Sequence, residues 1–143
     1  MRILIDTHAF LWFVLKDAHL SAAAKSIIAD PGNDVVISPV TFWETAVKIS
    51  LGKYALTEPF QSFFADEISN NRFKVLPVEI VHAAVLSSLP LHHRDPFDRL
   101  LVAQAMAEGI PLVSAECDSG CLPHYPTVVI RADASVLIKP TTG

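Results

Sequence analysis

The sequence predicts an α/β fold, in which a mostly parallel sheet lies between two layers of helices. Two patterns support this prediction. Short apolar runs of strand length alternate with longer segments whose apolar residues recur at helical spacing. Because parallel strands need a crossover between them, such alternation is typical of a three-layer α/β/α arrangement. With 143 residues, 51% of them apolar, the chain is long enough for one domain with a buried core.

The first half of the chain predicts two strands and four helices. The opening apolar run, Arg2–Ile5, is followed by a carboxylate and is typical of a central strand covered on both faces. Asp6 or Thr7 can cap the helix that follows, because a side-chain oxygen at this position accepts a hydrogen bond from the first turn. The other elements predicted in this half are helix 21–29, strand 35–38, a helix from Pro39 to about Leu51, and helix 58–70.

The second half predicts three strands and two helices. The clearest signal is a helix start in which Asp95 is the N-cap and Pro96 is the first helical residue; Gly109 then ends that helix. The other predicted elements are strand 75–76, helix 79–88, strand 112–114 and an edge strand at 128–130. We therefore expect one folded domain over residues 1–130 and a loosely held tail over residues 131–143.

Four acidic residues lie at or near the ends of predicted strands. They are Asp6, Glu44 in the helix after the second strand, Asp98 in the segment HRDPFDR, and Glu116 after strand 112–114. A parallel sheet gathers side chains beyond the carboxyl ends of its strands into one crevice. Carboxylates brought together in this way repel one another unless they share protons or bind cations, and Mg²⁺ prefers oxygen ligands. The pattern predicts a metal-dependent enzyme that acts on phosphate esters.

Each acid also has a simpler explanation when it is taken alone. Asp6 can serve only as a helix cap, and Glu44 can pair with Lys48 one turn later. For Glu44 the opposite prediction, a side chain that faces a partly buried cleft, comes from neighbours that make its helix apolar nearly all round: Phe42, Trp43, Ala46, Val47 and Ile49. Asp98, in the first turn of its helix, gains from the helix dipole whatever its function. Asp118 competes with Glu116 for the fourth position.

Charge and composition narrow the class of protein. A net charge of −4 argues against a general nucleic-acid binder, although cations bound to the acidic residues would reverse the local sign. No apolar run is long enough to span a bilayer and no secretory signal is recognisable, so we expect a cytoplasmic protein. Cys117 and Cys121, with His124 nearby, are better explained as reduced thiols than as a zinc site, which needs four ligands.

Three segments together resemble the PIN-domain ribonucleases. They are ILIDTH at 3–8, WETAVK at 43–48 followed by Gly52-Lys53, and HRDPFDRLLVAQA at 93–105. The segments occur in the order and spacing of that family across about residues 1–116. The nearest resemblance is to the toxins of VapBC toxin–antitoxin modules.

The resemblance implies a PIN-like fold and cleavage of RNA with Mg²⁺ or Mn²⁺. It places metal ligands at Asp6 and Asp98, a metal-binding or water-orienting role at Glu44, and a fourth acid at Glu116, where the family more often carries aspartate. Supporting or phosphate-contacting roles fall to Thr7, Asp95 and Arg99. It also implies a homodimer and a small VapB-like antitoxin as partner.

Two other functions stay open at this point. The chain can be a PIN-like module that binds RNA without cutting it, or a hydrolase of small phosphate esters. The second normally needs an aspartate two positions after Asp6, where this chain has His8. A separate hypothesis concerns Phe10, Trp12 and Phe13, which are too many aromatic residues for one helix face and predict an interface unless all three are core.

Overall fold

The computed structural model describes residues 1–89 and 95–114 in full, together with the backbone of two strands at 129–131 and 136–137. In this part of the chain there are six helices and six strands. They are β1 (Arg2–Ile5), α1 (Thr7–Val14), α2 (Ala22–Ala29), β2 (Asp34–Ile37), α3 (Pro39–Ser50), α4 (Phe60–Asn70), β3 (Lys74–Val75), α5 (Ile80–Ser88), α6 (Pro96–Glu108), β4 (Leu112–Ser114), β5 (Val129–Arg131) and β6 (Val136–Leu137). Every predicted element is present, with ends that differ by one or two residues.

The strands form a single sheet in the order β3-β2-β1-β4-β5-β6. Strands β1 to β5 are parallel, and only β6 runs antiparallel to its neighbour β5. The mostly parallel sheet is therefore confirmed. One difference lies in the predicted tail, because Val136–Leu137 pairs with β5 and thus belongs to the sheet. The strand order reverses direction at β1, which places the crevice of an open α/β sheet beside this strand.

The sheet separates two apolar cores. Ile3 and Ile5 of β1 point into the core under α1, α2 and α4, whereas Leu4 between them points into the core under α5 and α6. Alternate strand residues face opposite sides of a sheet, so a strand that is apolar throughout must be covered twice. All three side chains are fully buried, which confirms the three-layer arrangement.

The aromatic residues of α1 pack within the monomer. Phe10 is fully buried and stacks on Phe64 of α4 with ring centroids 5.5 Å apart. Phe13 contacts Phe73 at 6.0 Å, and Trp12 lies against the same core. Phe10 therefore belongs to the core, whereas Trp12 and Phe13 are only partly buried, so an interface at these two rings stays a prediction. Helices α2 and α4 supply walls on the other sides, which helical spacing alone does not reveal.

A buried histidine links α5, α6 and β1. The Nδ1 atom of His82 accepts a hydrogen bond from the amide of Glu79 at 2.9 Å, so its ring proton is on Nε2, 2.8 Å from Glu108 Oε1. The other oxygen of Glu108 pairs with Arg2 at 3.3 Å. The hydrogen bond from His82, aided by Arg2, lowers the pKa of Glu108. This network joins the beginning of β1 to α5 and α6, the helices that cover Leu4.

A transmembrane segment is not found among the described helices, none of which combines the required length with sufficient hydropathy.

Candidate metal centre

Asp6 is held between a helix and a strand at the carboxyl edge of the sheet. It is buried directly after β1 and caps α1, because its Oδ1 accepts a hydrogen bond from the amide of Ala9 at 2.7 Å. Its Oδ2 accepts a second hydrogen bond, also 2.7 Å long, from the hydroxyl of Ser114 at the end of β4. Both the predicted cap and the predicted position at a strand end are present. The carboxylate therefore has a fixed orientation.

Glu44 is a buried carboxylate with one oxygen unsatisfied. Only 3% of its side chain is exposed, and its Oε1 lies 3.3 Å from the ammonium of Lys48. Its Oε2 has no hydrogen-bond partner among the residues that the structure describes. A buried carboxylate oxygen without a donor is costly, and a cation can remove that cost. Both the pairing with Lys48 and the burial of Glu44 are present, although the sequence offered them as alternatives.

The start of α6 brings two more carboxylates to Glu44. Asp95 caps this helix, with Oδ1 accepting from the amides of Phe97 at 2.8 Å and Asp98 at 3.4 Å. One oxygen each of Glu44, Asp95 and Asp98 lies within 4.8 Å of the other two. Asp95 was predicted to have a supporting role, yet it is as close to this set as Asp98.

The remaining predicted acids are placed differently. Asp6 lies at the same edge of the sheet, but within the described part of the chain it is not a member of the set formed by Glu44, Asp95 and Asp98. Glu116 and its competitor Asp118 lie outside the described residues. Their role as the fourth acid stays a prediction. The same holds for the cysteines and for His93 and Arg94.

Two supporting side chains join the elements that carry the acids. Thr7 of α1 and Thr41 of α3 are both buried, and their hydroxyl oxygens lie 3.3 Å apart. Lys48 lies between Glu44 and the ring of His8, whose Nε2 is 3.4 Å from the ammonium. These contacts connect α1 to α3 and therefore fix the position of Asp6 relative to Glu44.

Arg99, predicted as a supporting residue, extends toward the end of α5. Its Nη2 donates to the carbonyl of Leu89 at 3.3 Å. Its Nε is buried and has no hydrogen-bond partner within residues 1–89 and 95–114. An arginine donor in this state suits an acceptor such as a phosphate oxygen.

The donor set fits a hard divalent cation. Glu44, Asp95 and Asp98 offer carboxylate oxygens, the ligands that Mg²⁺ and Mn²⁺ prefer. A bound cation would also neutralise the buried Oε2 of Glu44, which accepts no hydrogen bond from a described residue. A second set of possible ligands consists of Glu79, His82 and Glu108. There both nitrogens of His82 already make hydrogen bonds, so that set is explained by structure alone.

Ser114 and Thr41 were not identified from the sequence as parts of the site. Ser114 is the last residue of a strand that is otherwise apolar, and Thr41 is fully buried in a helix rich in apolar residues. A polar side chain in a buried element needs a partner, and this is the signal that identifies both.

Comparisons with known proteins agree with this description. The sequence model of the PIN domain family matches residues 3–119. No curated protein matches the sequence. Among solved structures, the fold is similar to VapBC2 from Rickettsia felis bound to a DNA fragment from their promoter, with a TM-score of 0.67 and 17% identity over 92% of this chain and 98% of that one.

Two other complexes are similar. VapBC-5 from Mycobacterium tuberculosis, a member of the VapBC family of toxin-antitoxin systems, has a TM-score of 0.59 and 22% identity, over 91% of this chain and 98% of that chain. DNA-bound VapBC from Salmonella typhimurium has a TM-score of 0.60 and 16% identity, over 92% and 98% of the two chains. At such identities the similarity is one of fold, and it confirms the predicted PIN-like architecture.

Proposed function

The chain belongs to the PIN-domain family, and from this premise we propose that it is a Mg²⁺- or Mn²⁺-dependent endoribonuclease, the toxin of a toxin–antitoxin pair. One observation carries the proposal. Three carboxylates, Glu44, Asp95 and Asp98, converge within 4.8 Å at the edge of the sheet where α/β proteins bind their ligands, and one buried oxygen among them has no partner in the described part of the chain. Such a set favours a cation that can contact a phosphodiester.

The proposed metal ligands are Asp6, Asp98 and Glu116, with Glu44 as a ligand or as the residue that orients the attacking water. When bound, a divalent cation polarises the phosphoryl group and acidifies water. Hydrolysis requires water to attack phosphorus in line, so that one phosphorus–oxygen bond forms as the opposite one breaks and the leaving oxygen takes a proton from solvent. The buried Oε2 of Glu44 is a suitable acceptor for the water's proton because it makes no hydrogen bond to a described residue.

The other residues have positioning roles in this proposal. Asp95 caps α6 and so orients the backbone that carries Asp98. Thr7 holds α1 against α3 through Thr41. Arg99 has a buried donor that suits a phosphate oxygen.

Partners follow from the same proposal. The similar solved structures are toxin–antitoxin complexes, which supports a VapB-like antitoxin as the partner of this chain. RNA as substrate and a cytoplasmic location follow from the ribonuclease activity. The chain is proposed to form one domain whose sheet extends past the predicted boundary at residue 130, because β5 ends at Arg131 and β6 pairs with it.

A homodimer is also proposed, through a different surface from the one that the aromatic residues suggested. Helix α5 contains no Asp, Glu, Lys or Arg, and Ile80 at its start is 89% exposed. Val75, Val78 and Val81 beside it are also exposed. An exposed apolar surface of this kind is typical of an interface between copies of one chain.

Light scattering at micromolar concentration tests the dimer. The wild-type mass should be that of two chains, and Ile80→Glu should give one chain. Leu51→Glu is the matched control, because Leu51 is also exposed but lies at the end of α3. A monomeric wild-type protein would contradict this part of the proposal.

Cleavage of single-stranded RNA, with Mn²⁺ and with EDTA, tests the enzymatic function. We expect cleavage only with metal. Asp6→Asn and Asp98→Asn should each lower the cleavage rate by at least about a hundredfold, a loss typical of removing an electrostatic group from a catalytic site. Asp95→Asn should be milder, because asparagine is an equally good cap. Asp66→Asn, at an exposed position on α4, is the control.

The outcomes separate the three functions. A phosphate-ester hydrolase would leave RNA intact while cleaving a small phosphate ester. A binding module would retain RNA uncut in the presence of Mn²⁺. Equal loss of activity at Asp95 and Asp98 would make both of them ligands.

A further inference from the structure

Trp43 is an exposed aromatic side chain on α3. Of its surface, 62% is accessible, and it is the only aromatic residue among the large exposed apolar side chains of the described residues. Burial of an aromatic ring stabilises the fold, as it does for the other rings that pack in the apolar cores. An exposed indole does not contribute this free energy. The position of Trp43 relative to the acidic residues suggests a use for it.

Trp43 lies beside the candidate metal centre. It precedes Glu44 in α3, and its ring meets Phe97, which precedes Asp98 in α6, with centroids 5.5 Å apart and planes at 85°. Consecutive Cα atoms are about 3.8 Å apart. The aromatic contact and the carboxylate contact are thus one residue apart along each helix and lie on adjoining faces of the α3–α6 pair, because neighbouring helical side chains point about 100° apart. The edge-to-face geometry fixes the indole while most of its surface stays accessible.

We propose that Trp43 stacks on an unpaired base of the RNA, next to the phosphate that the acidic residues address. This inference rests on the ribonuclease function proposed above. In RNA every base is joined to its phosphate through one sugar, so a strand whose phosphate is at the carboxylates carries bases close to them. Exposed aromatic rings bind unpaired bases by stacking, whatever their sequence.

The charge of the protein supports a base as the occupant. A net charge of −4 gives the chain little general attraction to phosphate away from the candidate metal centre. Stacking provides attraction that does not depend on charge. Phe97 packs against the second core and thereby gives the indole a rigid support.

Fluorescence tests the contact directly, since Trp12 and Trp43 are the only two tryptophans. In Trp12→Phe the emission comes from Trp43 alone. With Ca²⁺ in place of Mn²⁺, a short single-stranded RNA should quench this emission, and the same oligonucleotide without bases should not. Unchanged emission with saturating RNA, measured as bound by anisotropy, would overturn the inference.

Kinetics provide the second test. Trp43→Ala should raise KM about tenfold or more with kcat changed less than twofold, whereas Trp43→Phe should recover much of the loss. Leu51→Ala is the matched control, because Leu51 is also 62% exposed but lies at the C-terminal end of α3. With the wild type, an RNA that lacks the base beside the cleaved phosphate should have a KM raised by a similar factor. With Trp43→Ala, the loss of this base should raise KM no further. Independent, additive losses would overturn the inference.

The two proposals can fail separately. Quenching by RNA without any metal-dependent cleavage would remove the ribonuclease function and support the stacking contact. Normal cleavage and RNA binding by Trp43→Ala would leave the ribonuclease function intact and overturn the contact. If Trp43→Ala weakened only the binding of a protein partner, the surface would belong to that partner and the inference would be overturned.

Discussion

Replacing Glu44 by glutamine is expected to raise stability without metal and lower it with metal. The substitution keeps the shape of a side chain that is 3% exposed and removes its charge. Burial of a carboxylate costs several kcal/mol, and the ion pair with Lys48, which is 32% exposed, returns only about 1 kcal/mol or less. Metal-free protein therefore carries an excess cost at this position.

The expected sizes can be worked out from these contacts. Part of the gain from removing the charge is offset because the new amide also needs partners, so we expect a net stabilisation of about 1 kcal/mol without metal. For a chain of this length that corresponds to a rise in Tm of roughly 3–5 °C. Mn²⁺ at one hundred times its Kd should stabilise the wild type by about 2.7 kcal/mol. The variant should gain less than a third of this.

Thermal unfolding with EDTA and with a series of Mn²⁺ concentrations measures both effects. The Tm of Glu44→Gln should lie above that of the wild type in EDTA and below it at the highest Mn²⁺ concentration. Glu58→Gln, an exposed residue outside the helices, serves as control and should behave as the wild type. A Glu44→Gln protein that keeps the full Mn²⁺-induced shift would refute the assignment of Glu44 to the metal centre.

Three further predictions concern other residues. Ser114→Ala removes a donor from a buried carboxylate and should lower the free energy of unfolding by about 1.5–3 kcal/mol in urea titrations, and an unchanged value would mean that the bond to Asp6 adds nothing. The pKa of Glu108 lies below its ordinary value of 4.5, so its contribution to stability is present above that pH and is lost as the pH falls through the folded-state value. Glu108→Gln should therefore lose less stability than the wild type between about pH 5 and about pH 3, and equal losses would contradict this. Finally, Glu116→Gln should raise the Mn²⁺ concentration for half-maximal cleavage more than Asp118→Asn does; the opposite order would move the fourth acid to Asp118.

The helix starts and the strand ends were predictable because they depend on local chemistry. Asp95 before Pro96 specifies a cap and a first helical residue, and the structure has both. The apolar run of β1 likewise predicted a strand covered on both faces. In these cases the information lies within a few neighbouring residues.

Contacts between distant elements were not predictable in the same way. Asp95 joins Glu44 because of the angle at which α3 meets α6, and no spacing along the chain encodes that angle. The apolar composition of α3 correctly predicted that Glu44 would be buried. It also implied burial for Trp43, whose surface is 62% accessible because its contact with Phe97 of α6 covers only part of the indole.

The pairing of β1 with β4 has a consequence for how the protein is made. Leu4 and Ile5 align with Leu112 and Val113, and Asp6 receives its hydrogen bond from Ser114, which lies 108 residues further along the chain. Until β4 has left the ribosome, the central strand lacks one neighbour and Asp6 lacks one of its donors. Pairings over such long sequence separations form slowly because a large loop must close first. A nascent chain therefore cannot complete the candidate metal centre before β4 has been synthesised, so the pairing of β1 with β4 sets the earliest point at which this site can form.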